Sequence, residues 1–395
     1  MNRNILFLAC SQATMMTVIS LTLSSSALIG RQLGSPDLAT APLAVQYLAT
    51  MLLLYPIAKL MELHGRRIIF FGGALIGALG LAIAALGIVS HSFILFVFAG
   101  FFVGTFNAVG QYYRFAAAEA VPAQRKSTAI SLTLTGGILA AIAGPLLARW
   151  TKDFLTPAFL ASFIALIGVA LLGALFATRL RLPTTIQTND REVHRPFIEI
   201  AKNPKFVLAV LGGVIGYGNM NLLMCATPLA MLGSQHNFSQ TATVIQWHVV
   251  AMFAPSFFTG HIIQRIGILP VMLLGCIFTL GCIFVSLQGS EVAHFEVALI
   301  LLGIGWNFLY VGATSLLTET YHKGEKTLVQ SFNDTLVFFG VTLATFFSAK
   351  LVNTLGWYSL NIYASIPIIL LAISIMFMLK PQLLSLALLT ERDKK

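Results

Sequence analysis

The chain has 395 residues, of which 57% are hydrophobic and only 10% charged, and its mean hydropathy is +0.86. That balance excludes a water-soluble globular fold, whose surface needs charge. The 24 Lys and Arg against 14 Asp and Glu give a net +10. These basic residues sit in short gaps between apolar runs rather than on one face, which excludes a nucleic-acid-binding surface.

Apolar runs of about twenty residues, enough to cross a bilayer as a helix, predict twelve spans. They cover 4–29, 39–61, 68–90, 92–120, 126–149, 157–178, 205–231, 240–263, 268–288, 294–318, 326–349 and 358–380. Helices are the expected form, since a lipid-exposed backbone must satisfy its own hydrogen bonds. Residues 1–9 look like the start of a signal peptide, but the run continues to Ile29, so it reads as a retained first helix. Connections are short except for the polar stretch Arg179 to Lys205. That stretch predicts an N-terminal six-helix bundle over 1–178, a linker over 179–204 and a second six-helix bundle over 205–395. With the N-terminus inside, nineteen Lys and Arg fall on the cytoplasmic side. Only Arg31, Arg149, Lys152 and Lys350 fall outside, and Arg114 lies within a span. The asymmetry places both termini and the linker in the cytoplasm. Compact loops suggest a bacterial inner (cytoplasmic) membrane and a monomer. Cys10, Cys225, Cys276 and Cys282 lie in apolar runs with no CxxC or His/Cys cluster, so no disulfide, metal or cofactor is expected.

The halves echo each other. Ala58-Lys-Leu-Met-Glu62-Leu-His-Gly65-Arg66-Arg67 follows span 2, and Gly260-His-Ile-Ile-Gln264-Arg265-Ile-Gly267 follows span 8. Asn107 and Glu119 of span 4 match Asn307 and Glu319 of span 10. Internal repeats of this kind are common in transporters. On these motifs the chain resembles the major facilitator superfamily over essentially its full length. The family's loop signature reads Gly-x-Leu-x-Asp-Arg-x-Gly-Arg-Arg/Lys. Here Leu60, Gly65, Arg66 and Arg67 are kept, with Ala58, Glu62 and Leu63 at the departures. The second copy keeps Gly260, Arg265 and Gly267, with Gln264 for Asp. Gly136 and Gly144-Pro145 in span 5 resemble part of the glycine-rich antiporter motif of efflux members, whose later glycines are replaced by Leu147 and Ala148.

The resemblance implies two bundles rocking about a central cavity lined by spans 1, 4, 7 and 10. It also implies that Glu62, Gly65, Arg66 and Arg67, with Gly260, Gln264, Arg265 and Gly267, act as gate latches rather than cargo contacts. Charge-assisted bonds at helix ends would hold the inner side closed, with Glu119 as partner of Arg66 and Glu319 as partner of Arg265.

Asn107, Gln111 and Arg114 share one helix face. A face that polar cannot meet lipid, and an intramembrane Arg marks a functional site by default; the bland alternative is an ion pair with Glu62, Glu119 or Asp334. Substrate contacts are therefore assigned to Gln12, Asn107, Gln111, Arg114, Tyr217, Asn219, Asn221, Trp306, Asn307 and Tyr310. Span 1 also offers Thr14, Thr17 and Ser20, whose hydroxyls can equally bond to their own backbone. Tyr112 and Tyr113 could join Trp306 and Tyr310 in packing against a ring or hydrocarbon portion of the cargo. Proton coupling is assigned to Asp334, His248 and Glu119, the titratable groups within or near spans.

These residues predict a secondary active transporter working by alternating access, with protons and the lipid bilayer as partners and no nucleic acid. Arg114 favours an anionic or zwitterionic metabolite, such as an organic acid or carboxylate siderophore. The alternative is a broad-specificity proton-antiporting efflux pump. A scaffold or receptor lacks an attached soluble domain, and an enzyme lacks any zinc motif, nucleophile elbow or phosphate loop.

Overall fold

The computed structural model describes residues 3–121, 126–182, 195–322 and 325–392. The side chains of Glu62 and Glu119 lie outside the described parts. The fold is all-α. In chain order the helices are α1 (Arg3–Leu33), α2 (Ala41–His64), α3 (Arg66–Val89), α4 (Phe93–Gly110), α5 (Tyr113–Glu119), α6 (Lys126–Thr151) and α7 (Leu160–Thr178). After the short α8 (Phe197–Ala201) come α9 (Pro204–Gly233), α10 (Phe238–Phe253), α11 (Ser256–Ile266), α12 (Ile268–Ser286), α13 (Val292–Thr318) and α14 (Lys326–Arg392). Among the described residues, nine stretches are long and apolar enough to cross a membrane. Adding α6, the α10–α11 pair and the second arm of α14 is consistent with twelve spans.

Local chemistry sets the helix ends. Asn203 caps α9 ahead of Pro204, and Asn237 and Gln240 form a reciprocal capping box at α10. Gly65 (φ 79°, ψ 149°) and Gly267 (φ 90°, ψ 167°) each end one helix and begin the next, in backbone conformations open essentially to glycine alone. Gly356 does the same inside α14, at φ 77° and ψ 165°, dividing it into two arms. The glycines marking the repeat are therefore hairpin hinges of one geometry.

Two predicted spans are broken. Span 4 is interrupted at Gln111 and Tyr112, between α4 and α5, where the Tyr112 hydroxyl donates to the Leu54 carbonyl at 2.7 Å. Span 8 is interrupted at Ala254 and Pro255, where proline has no N–H to continue the ladder.

The end of the bundle where α1 starts is called the near face. The start of α1 and the end of α7 meet there, since Asn4 Nδ2 donates to the Arg181 carbonyl at 2.7 Å and the Arg181 N–H donates to Asn4 Oδ1 at 2.9 Å. At the opposite, far face, segments before and after the linker are joined. The Thr40 hydroxyl donates to the Phe346 carbonyl at 3.3 Å. The Phe159 and Phe238 rings meet edge-on at 4.9 Å, with the Lys152 ammonium 5.8 and 5.3 Å from their centroids.

Candidate functional site

A cavity lies between the two groups of helices, with about 920 Å³ of atom-free space including its mouth. One wall is aromatic. Trp306 and Tyr310, a helical turn apart on α13, stack at 5.1 Å with an 11° interplanar angle. The Tyr217 ring of α9 meets them edge-on at 5.2 and 5.3 Å, and Phe253 approaches Trp306 at 6.1 Å. Met16, Met220, Met224 and Met252 add adaptable thioether surface.

The facing wall is polar. Gln12 comes from α1, Asn107 from α4, Gln111 from the α4–α5 break and Arg114 from the first turn of α5. Their orientation is fixed by a relay. Gln111 Nε2 donates to Asn107 Oδ1 at 3.2 Å, Asn107 Nδ2 donates to the Thr50 hydroxyl at 3.2 Å, and Thr50 reaches the Gln46 and Gly104 carbonyls at 2.9 and 3.0 Å. Gly104 makes this possible, because a side chain there would overlap the Gln46 backbone. The Arg114 guanidinium stands in the field of Asp334 on α14, with Tyr310 of α13 lining the same cavity.

Seven of the ten sequence-assigned substrate contacts thus line one space: Gln12, Asn107, Gln111, Arg114, Tyr217, Trp306 and Tyr310. Asn219, Asn221 and Asn307 do not. Asn221 is buried on α9, with its Nδ2 3.5 Å from the Tyr217 carbonyl. Asn307 is wholly buried and stitches the break between α10 and α11. Its Nδ2 donates to the Met252 carbonyl at 2.7 Å and to the Ser256 hydroxyl at 2.6 Å, and its Oδ1 accepts from Thr259 at 2.6 Å.

Of the proton-coupling candidates, Asp334 is half-buried beside Asn333, whose Nδ2 donates to it at 3.2 Å. His248 is fully buried away from the cavity lining. Its Nδ1 is 2.7 Å from the Leu299 carbonyl and so carries the proton. The side chain of Glu119 lies outside the described parts. Among the gate residues, Arg66 is half-buried, while Arg67, Gly260, Gln264, Arg265 and Gly267 are exposed. Glu319 pairs with Lys205 at 2.7 Å, not with Arg265, because the start of α9 comes alongside the end of α13.

Pattern reading missed much of the apolar lining, Tyr47, Phe253 and Phe338 above all, since an aromatic in an apolar span looks the same facing lipid or cavity. It also missed a buried carboxylate at the near face. Arg195 grips Glu325 with Nε at 2.8 Å and Nη2 at 2.7 Å, and the His322 N–H adds 2.9 Å. Arg195's side-chain bonds, then that backbone N–H, hold the Glu325 carboxyl well below the usual carboxylate range.

The sequence pattern of the Major Facilitator Superfamily matches residues 5–321 and, again, 209–387. The riboflavin transporter RfnT of Brucella anthropi is 39% identical over 388 residues, covering 96% of each chain. Two MFS-type transporters of Bacillus subtilis, YdeG and YddS, are each 26% identical. They match over 368 and 327 residues, which is 87% and 77% of this chain and 84% and 74% of theirs.

Proposed function

We infer that this chain, which belongs to the Major Facilitator Superfamily and is a multi-pass membrane transporter rather than an enzyme, carries riboflavin or a closely similar flavin. The observation behind the reading is the cavity's division into an aromatic wall and an amide–guanidinium wall. Riboflavin is divided in the same way. Its tricyclic ring offers flat faces to Trp306, Tyr310 and Tyr217. Its imide edge offers carbonyls to Arg114 and an N–H to the amide oxygen of Gln111, and its ribityl chain offers hydroxyls. The full-length likeness to a transporter named for riboflavin supports the same cargo. Asp334 in the field of Arg114 offsets the one cation among the described residues that line the cavity, which favours neutral cargo over the organic acid that Arg114 alone suggests.

The two bundles, 1–178 and 205–395, rock about this cavity with both termini in the cytoplasm of a bacterial inner membrane. The far-face contacts at Thr40, Lys152 and Phe238 support an inward-facing state, sealed outside. Asp334 is the proton-coupling group, because its carboxylate stands in the field of Arg114 whereas His248 is buried away from the cavity lining.

Uptake of riboflavin by the purified protein in liposomes, with and without a pH gradient, tests the reading. Saturable uptake that the gradient accelerates, and that Asp334→Asn makes indifferent to the gradient, is expected. Absence of flavin transport would remove the cargo assignment. Gradient-driven transport persisting in Asp334→Asn would move the coupling elsewhere. The methionine-lined wall also suits a broad-specificity efflux pump. Sensitivity of a deletion strain to many unrelated drugs would favour that second reading.

A further inference from the structure

Among the described residues that line the cavity, two neutral polar groups are buried without a hydrogen-bond partner. The first is the Ser20 hydroxyl of α1. Its neighbours Thr14, Thr17, Thr22, Ser24 and Ser25 each donate to a carbonyl about one turn back on their own helix, at 2.7 to 2.9 Å. Ser20 does not. It is 2% exposed, lines the cavity and has no hydrogen-bond partner. The space it occupies exists because residue 144 is glycine, and a Cβ there would press on the Ser20 Cβ and Oγ at 2.8 and 2.9 Å. The second group is the Trp306 indole N–H, on a side chain 7% exposed that lines the same cavity and also has no partner.

Buried polar groups are normally bonded, and each orphan costs free energy comparable to a lost hydrogen bond. Two orphans in one cavity, one from each half of the chain, are explained together if a ligand completes them. Ser20 lies about 12 Å along α1 from Gln12, at the end of the cavity nearer the far face. Ile19, Leu23, Met224 and Val249 line that end too. Trp306 lies among the rings.

We propose that Ser20 and Trp306 are ligand-binding residues, with the Ser20 hydroxyl bonding the hydroxylated chain of the cargo and the Trp306 N–H donating to an acceptor on its ring system. The proposal rests on the flavin reading above and deepens it. The ligand must be two-part, with a polyol tail reaching past the rings toward Ser20 and an acceptor-bearing flat head beside Trp306. Gly144, offered by the sequence as an antiporter remnant, is then a space-maker for a binding hydroxyl.

The test is transport kinetics of the full chain in liposomes with riboflavin and with lumiflavin, which keeps the ring system but carries a methyl group in place of the ribityl chain. Ser20→Ala removes only the hydroxyl, and Trp306→Phe removes the indole N–H while keeping an aromatic ring at the position stacked on Tyr310. Each is expected to raise KM for riboflavin about tenfold, with kcat little changed, the effect of one unmade hydrogen bond. With lumiflavin the Ser20→Ala penalty is expected to vanish and the Trp306→Phe penalty to remain. For Ser20→Ala a structural role would penalise both ligands equally, so equal penalties in that variant overturn the proposal, as does a parental KM in either variant. Wild-type protein that moves neither flavin overturns the cargo reading and the proposal together.

Discussion

Asn107 and Asn307 occupy matched positions two hundred residues apart, yet their surroundings differ. Asn107 lines the cavity, and its two polar atoms are held by Gln111 and Thr50, so it orients a wall. Asn307 is sealed in the other half, bonded to Met252, Ser256 and Thr259 across a proline-broken helix. The same side chain at matched positions orients a cavity wall in one copy and repairs a broken helix in the other. Breaking a span frees backbone groups in a place without water, and something buried must meet them. Pro255 breaks span 8 beside Asn307, and that half's asparagine is taken up there. The cavity-facing polarity therefore gathers in the first half, and the second half contributes rings.

The contrast is sharpest at Arg114, whose matched position holds Thr314, an exposed residue donating to its own helix at the Tyr310 carbonyl. Arg114→Ala is expected to abolish riboflavin uptake while the protein still inserts and purifies. Thr314→Ala should leave transport within about twofold of the parent, as surface changes do. Full activity without Arg114 would take it out of the site. Asn307→Ala comes next. It strands a buried carbonyl and two hydroxyls and should cost about 3 kcal/mol, read as a large fall in thermal stability. Asn107→Ala should cost about 1 kcal/mol and act mainly on KM. Equal losses of stability in the two variants would erase the distinction.

The hinges offer the opposite comparison, because there the repeat keeps its geometry. Gly65→Ala and Gly267→Ala should each cost about 1–3 kcal/mol, and a penalty confined to one of them would show that only one hinge needs its positive φ. The smallest effect concerns pH at the near face. Glu325 has a depressed pKa in the folded chain, so its contribution to stability is fully present above the unfolded value of about 4.3 and is lost as pH falls toward the folded one. Acid melting of the parent should steepen below about pH 4, and Glu325→Gln should flatten that slope. An unchanged acid profile would show that the Arg195 grip adds nothing.

The fold was legible because its signals are repetitive and local: apolar runs of spanning length and hinge glycines at both copies of one motif. The site was legible where polarity was out of place, as in the one-faced series Asn107, Gln111 and Arg114. It was not legible where side-chain identity leaves direction open. Asn307 reads like Asn107, and only the Pro255 break and its three partners separate them. His248 reads as a titrating group in mid-span, but its Nδ1 is committed to Leu299. Ser20 is one hydroxyl among many on α1, and what distinguishes it is a missing partner, which no pattern of residue types records.

The most direct measurement is a titration of riboflavin's own visible emission with the purified chain. Flavin emission is quenched when the ring packs against indole or phenol, and the ring is placed beside Trp306, Tyr310 and Tyr217. The expected result is quenching that saturates at one flavin per chain and is weakened by Arg114→Ala. Emission unchanged at every concentration of folded protein would contradict a flavin seated in this cavity.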